Sequence, residues 1–189
     1  MMLPLATEPL TAPTDREMLP SERREFVRTH RTCVYGFRRR NDGPAMSVVY
    51  YVPTDTDELL VTTMEGRGKA RVIDRDGKIS LCILDERWPF TYLQVYADAT
   101  LDRDPDFAID VMMAIAWRMS GQPLGDEARP HVAAMCEREN RVVIRCRPYS
   151  SFATPPRHLH SNDQVEQLTH WVSGVVDWDA PDPAGRVTT

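Results

Sequence analysis

The sequence predicts a mainly β protein, a β-barrel with flanking helices. Short runs of alternating polar and apolar residues recur between positions 32 and 102, separated by turn signals. A single stretch, 104–121, changes to helical period, and one last alternating run follows at 141–152. Strands of that length joined by short turns favour an antiparallel sheet curled into a barrel.

SERREFVRTH, residues 21–30, reads as a short helix with Ser21 as N-cap and Phe26 and Val27 on its apolar side. TCVYGF is the first strand, and the turn at Asn41-Asp42-Gly43 returns the chain as MSVVYYV, so the pair forms a hairpin. ELLVTT is a third strand. Gly66 to Arg75 is a short helix or turn crossing the end of the sheet, and KISLCIL and TYLQVYADATLD are the fourth and fifth strands. In DPDFAIDVMMAIAWRMSG, Phe107, Val111, Ala114, Ile115 and Arg118 follow helical spacing, and Gly121 supplies the stop. EARPHVAAMCER is a weaker helix, and RVVIRCRPYSSF is the last strand. The expected organisation is an irregular arm over 1–18, a cofactor-binding barrel over 19–150 and a tail over 151–189.

The chain has 189 residues, enough for one domain with a real core. Its net charge of -5 argues against a protein that condenses on nucleic acid as a whole, so an anion site has to be local. Cys33, Cys82, Cys136 and Cys146 are far apart and form no CxxC, which reads as reduced and largely buried thiols. The N-terminal stretch lacks a basic n-region and Pro4 breaks its apolar run; no later segment is apolar for long enough to span a bilayer. The expectation is a soluble cytoplasmic protein without a membrane or nucleic-acid partner.

One segment carries chemistry. LLVTTMEGRGKARVI, residues 59–73, ends a strand on Thr62 and Thr63 and then places Arg67, Lys69 and Arg71 at every second position. Hydroxyls and mobile or planar cations around glycines suit phosphate oxygens, although a solvated basic turn would read the same way. The stretch is neither a P-loop nor a dinucleotide fingerprint. Arg38-Arg39-Arg40 reads as a solvated hairpin tip. His158 and His160 have a spacing a metal could use but lack a carboxylate or cysteine partner, so no metal site is assigned. No nucleophile paired with a base stands out, which suggests that a cofactor carries the chemistry.

FVRTHRTCVYGF, MSVVYYV, ELLVTTMEGRGKARVI and KISLCILDERWPFTYLQVYADATL, in that order, resemble the pyridoxamine 5′-phosphate oxidase-like family of split β-barrel flavin and deazaflavin oxidoreductases. The similarity runs from about Ser21 to Leu101 and continues more weakly to Pro148. The resemblance implies an FMN-binding-like split barrel in which Ser47, Val48, Val49 and Tyr50 line the cofactor ring or its side chain. It gives Thr62, Thr63, Arg67, Lys69 and Ala70 the phosphate, Gln94 a place near the ring, and Arg71 an outer supporting role. The turn departs from the family's usual adjacent Arg-Lys, because Gly68 precedes Lys69 and the arginine stands at 67. The Arg/His substrate motif of true pyridoxamine phosphate oxidases has no clear counterpart.

HRT and DERWPFTYLQV make the chain look most like the branch that uses the deazaflavin coenzyme F420. That likeness implies an oxidoreductase passing a hydride from the reduced deazaflavin to an unsaturated small-molecule substrate. It also implies a homodimer with the cofactor at its interface and an aromatic wall from Trp88, Trp171 or Trp178. The alternatives are an FMN-dependent oxidase or reductase, and a non-catalytic flavin or haem carrier using one of His30, His131, His158, His160 or His170.

Overall fold

The computed structural model describes residues 1–2, 17–87, 91–153 and 174–185. Its strands are β1 (Thr32–Phe37), β2 (Ala45–Tyr50), β3 (Val52–Pro53), β4 (Leu59–Met64), β5 (Lys78–Asp85), β6 (Thr91–Asp102), β7 (Arg141–Ala153) and β8 (Gly174–Asp177). The helices are α1 (Pro20–Thr29), α2 (Gly68–Ile73), α3 (Pro105–Ser120) and α4 (Arg129–Glu139). One sheet runs β2-β1-β5-β6-β7-β4-β3, with β8 added to β7, and every pairing is antiparallel. The sheet is a half-barrel flanked by helices. Its path is open, with β2 near one end and β4 near the other.

The two sheet faces follow the period of two. On the concave face, Tyr35, Leu59, Val61, Leu81, Ile83, Leu93, Val95, Ile144 and Cys146 form the main core with Phe26 and Val27 of α1 and Ile73 of α2. A second core lies outside, where Ala108, Val111 and Ile115 of α3 cover Val52, Leu60 and Val143. Adjacent residues of β4 therefore serve different cores: Leu59 and Val61 the first, Leu60 the second.

The ends of α3 match its sequence. The Asp104 carboxylate accepts from the backbone N–H of Asp106 at 2.9 Å, Pro105 opens the first turn, and Gly121 closes the helix at φ 74°. α1 is a correction. It begins at Pro20 with Leu19 as N-cap, not Ser21, because proline's fixed φ suits the first helical position. Glu22 Oε2 accepts from the Leu19 N–H at 2.8 Å, while the Ser21 hydroxyl donates to Asp182 at 2.5 Å.

The run read as one strand, 46–52, divides at Tyr51. This ring is fully buried, and its hydroxyl donates to the Val27 carbonyl at 2.7 Å, so the chain turns inward there before Val52 pairs with Leu60. β7 and β6 shift register between Tyr96 and Ala97, where Pro148 cannot donate to the ladder.

Residues 174–185 lie on their own barrel rather than leaving it. β8 pairs with β7, and Arg24 Nη1 donates to the Trp178 carbonyl at 2.8 Å. Trp178 is itself a buried core residue of its own chain. Trp88, Trp171, His158, His160 and His170 fall outside the described residues. All four cysteines are free; Cys33, Cys136 and Cys146 are buried and Cys82 is half-buried. Among the described residues, no helix is long and apolar enough to cross a membrane, and no group of three or more His, Cys, Asp or Glu side chains could hold a metal.

Candidate active site

Curling the open sheet leaves a groove of about 370 Å³ between strands that do not pair. Phe37, Ala45, Met46 and Ser47 line it from the β1–β2 hairpin, and Thr62, Thr63 and Met64 from the end of β4. Arg67, Gly68 and Lys69 contribute from the start of α2, and Arg141 from the start of β7. The opening thus collects one end of each sheet edge and the basic turn.

Ionic stitching fixes the turn. The Arg103 guanidinium holds Glu65, just before the turn, at 2.6 Å and Asp74, just after α2, at 3.0 Å. Asn140, at φ 46°, donates from its side chain to Glu65 at 2.8 Å, and the Glu65 N–H donates to the Asn140 carbonyl at 2.9 Å. Each exposed pair contributes little alone, but the network ties both ends of the segment to the sheet. Gly77, at φ 64°, then returns the chain to β5; a Cβ there would lie 3.1 Å from the Ala99 carbonyl oxygen.

The carboxylates nearest the turn are thereby occupied, and Arg67 and Lys69 are left without them. Lys69 forms no ion pair or hydrogen bond among the described residues; its ammonium sits 5.8 Å from the centre of the Tyr35 ring. Burial lowers its pKa below the ordinary lysine value, and the neighbouring charge of Arg67 lowers it further. Arg67 is exposed, and among the described residues its side chain bonds only the Met64 sulfur, at 3.5 Å. Among the described residues, the buried Ser47 hydroxyl has no hydrogen-bond partner, nor has the Tyr35 hydroxyl opposite it on β1. An unpartnered hydroxyl and an unpartnered ammonium in one groove are the complement of an anionic, hydrogen-bonding ligand.

Thr62 and Thr63 reach the groove from opposite faces of β4, as neighbours on a strand must. They are not equivalent donors. The Thr62 hydroxyl donates to Met112 Sδ at 3.0 Å and accepts from Arg141 Nη1 at 3.2 Å. Arg71 turns back to the Gly66 carbonyl at 2.8 Å and does not line the groove.

Of the ten candidate residues, Ser47, Thr62, Thr63, Arg67 and Lys69 come together here, whereas Val48, Val49, Tyr50, Ala70 and Gln94 do not line the groove. Val49 packs against the main core, Tyr50 against the outer one, and Ala70 is buried. Val48 and Gln94 lie on the convex sheet face. Cross-strand pairing puts them in one row: Val48, Val34, Cys82, Gln94, Phe152, Val175.

Besides Phe37, Ala45, Met46, Met64 and Gly68, sequence reasoning missed one charged groove residue, Arg141. It lies far along the chain, and β4–β7 register sets it opposite Met64. Glu139 holds its fork at 2.7 Å. The alternation of cation and apolar residue in RVVIRCR was the available signal, although nothing in it names the partner strand.

A family model for pyridoxamine 5′-phosphate oxidase matches residues 19–148. No sequence among the curated proteins matches the chain. Among solved structures, the conserved hypothetical protein Rv2991 from Mycobacterium tuberculosis is similar at TM-score 0.66 and 21% identity, over 81% of this chain and 98% of that one. A Clostridium acetobutylicum protein related to general stress protein 26, of the pyridoxinephosphate oxidase family, has TM-score 0.58 at 11% identity, over 85% and 94%. An F420 reductase is similar at TM-score 0.49 and 21% identity, over 64% and 88%. The sheet, the groove at its open edge and the span of the family match agree, and the chain belongs to the pyridoxamine 5′-phosphate oxidase-like split-barrel family, a flavin-related oxidoreductase superfamily that binds flavin-type cofactors.

Proposed function

We propose that the chain is an oxidoreductase that transfers a hydride between the reduced deazaflavin F420 and an unsaturated organic substrate. The observation that carries the reading is the groove, where, among the described residues, Lys69 and the Ser47 hydroxyl have no partner and Arg67 has no carboxylate. These groups fit the phosphate of a flavin-type cofactor. Lys69 supplies a point charge, Arg67 a planar fork, and Ser47 and Thr63 hydroxyls. When bound, the cofactor supplies the hydride chemistry; the chain's own residues bind, orient and exclude water. The choice of F420 over FMN rests on the sequence resemblance and on the departure of the turn, with Gly68-Lys69 in place of adjacent Arg-Lys.

The site is completed by a second copy of the chain. The two ends of the convex row that holds Val48 and Gln94 are apolar and exposed, Val48 at 73% and Val175 at 64%, and the residues between them are half-buried. A face of this kind is a docking surface on a monomer. The homodimer would bring that face against its counterpart, placing Val48 and Gln94 beside a cofactor that reaches out of the groove. Four free thiols suit a cytoplasmic location.

Equilibrium binding of the purified protein to F420 and to FMN, side by side, tests the cofactor. Tighter binding of F420 and turnover of an enone acceptor are expected. Preference for FMN, with a yellow protein, replaces the reading with an FMN enzyme, and binding of neither removes it. Sedimentation at micromolar concentration is expected to show a dimer; a monomer with intact cofactor affinity overturns the second-copy requirement.

A further inference from the structure

The chain contains two lysines, Lys69 and Lys78, among 23 basic residues. Their surroundings are opposite. Lys78 is exposed, ion-paired with Asp98, and set 4.5 Å from the centre of the Tyr149 ring. Lys69 is half-buried and, among the described residues, has no anion against it. The groups around its ammonium are Arg67 at the start of α2, Tyr35 and Cys33 on β1, and Arg141 across the groove on β7. Burial holds the Tyr35 and Cys33 protons on, so the surroundings are neutral or cationic near neutral pH.

An amine desolvated beside a second cation is the arrangement that makes lysine a nucleophile. In such a place the neutral amine is populated at lower pH than on an ordinary lysine. The same groove offers Arg67, Thr63 and Ser47 to a phosphate. An amine next to an anion cradle suits a particular kind of molecule, one with a carbonyl at one end and a phosphate at the other.

We propose that the groove, when free of cofactor, captures phosphorylated aldehydes as an imine on Lys69. The step balances without an oxidant or reductant. Neutral Nζ adds its lone pair to the carbonyl carbon, and the carbonyl oxygen takes a proton from solvent to give a carbinolamine. Loss of water then forms the C=N bond, and the nitrogen proton returns to solvent. The reaction is reversible, so cofactor and aldehyde compete for one groove, and aldehyde capture holds back the apoprotein. The proposal rests on the groove being an anion site, the same reading that gives it the cofactor phosphate.

Pyridoxal 5′-phosphate followed by borohydride reduction, with peptide mass mapping, tests the idea on the whole protein. Lys69 is expected to be labelled at least about tenfold faster than Lys78 near neutral pH. Its labelling should reach half-maximum at a lower pH than that of Lys78, whose proton Asp98 holds. Unphosphorylated pyridoxal is expected to label Lys69 far more slowly, and the cofactor that binds is expected to protect it. Lys69→Arg, which keeps the charge but has no nucleophilic amine, should give no reduced adduct at position 69. Equal labelling of both lysines overturns the proposal, as does equal labelling by pyridoxal and its phosphate. If neither FMN nor F420 binds but Lys69 is still labelled selectively, the cofactor reading fails and the amine site stands.

Discussion

Two stretches of this chain carry three cations each, and the fold treats them differently. Arg38, Arg39 and Arg40 stand on the exposed tip of the β1–β2 hairpin, where Arg38 pairs with Asp76 at 3.1 Å and Arg39 with Asp42 at 2.6 Å. Arg67, Lys69 and Arg71 lie in and after the α2 turn, and neither Arg67 nor Lys69 meets a carboxylate among the described residues. The number of positive charges does not distinguish the two stretches. The difference is made by Arg103, which takes up Glu65 and Asp74, the acids nearest the turn. A cation cluster is left open to an anion when a residue from elsewhere takes up its counter-charges.

The comparison breaks most visibly if both groove cations are removed. Arg67→Ala with Lys69→Ala is expected to cost about 3–6 kcal/mol of cofactor binding, roughly two to four decades, read by calorimetric titration. Loss of less than one decade would put the two stretches on the same footing. Ser47→Ala tests the unpartnered hydroxyl: affinity should fall by about 0.5–1.5 kcal/mol while Tm holds, since a group without a native partner contributes no hydrogen bond to the fold. A drop in Tm with unchanged affinity would make Ser47 structural. Arg103→Ala releases Glu65 and Asp74 to compete for Arg67 and Lys69. Affinity should fall by up to about 1 kcal/mol and recover when Glu65→Gln is added. Arg39→Ala, at the tip, is expected to leave both binding and stability within about 0.5 kcal/mol, as measured by the same titration and a denaturant midpoint.

Much of the sheet was legible because its alternation is local. Ile79, Leu81 and Ile83, and Leu93, Val95 and Ala97, mark their concave face without reference to any partner strand. The end of α3 was equally plain in Gly121, whereas its start, with the Asp104 cap and Pro105, is a finding of the structure. What escaped depends on tertiary partners. Tyr51 splits a run of uniform β character because its hydroxyl has a place beneath α1. Ser21 looks like a cap until Pro20 takes the first helical position. The basic turn was legible as a candidate site by its residue types, but Arg141 enters the groove through strand pairing alone. Val48 and Gln94 are separated from the groove by side-chain alternation within their strands, so their link to it passes through the proposed second chain.

The central claim is that the turn meets a phosphate, and Lys69→Ala tests it most directly. Titrations of wild type and variant would use the cofactor that binds, FMN or F420, and the matching fragment without its phosphate. The account predicts a loss of roughly 1.5–3 kcal/mol, about one to two decades, for the phosphorylated form, and a much smaller loss for the fragment. Tm should not fall, because the charge is half-buried without a partner and its pKa is lowered by folding. Equal affinity of wild type and Lys69→Ala for the phosphorylated cofactor would contradict the account and make the turn a solvated basic surface like the hairpin tip.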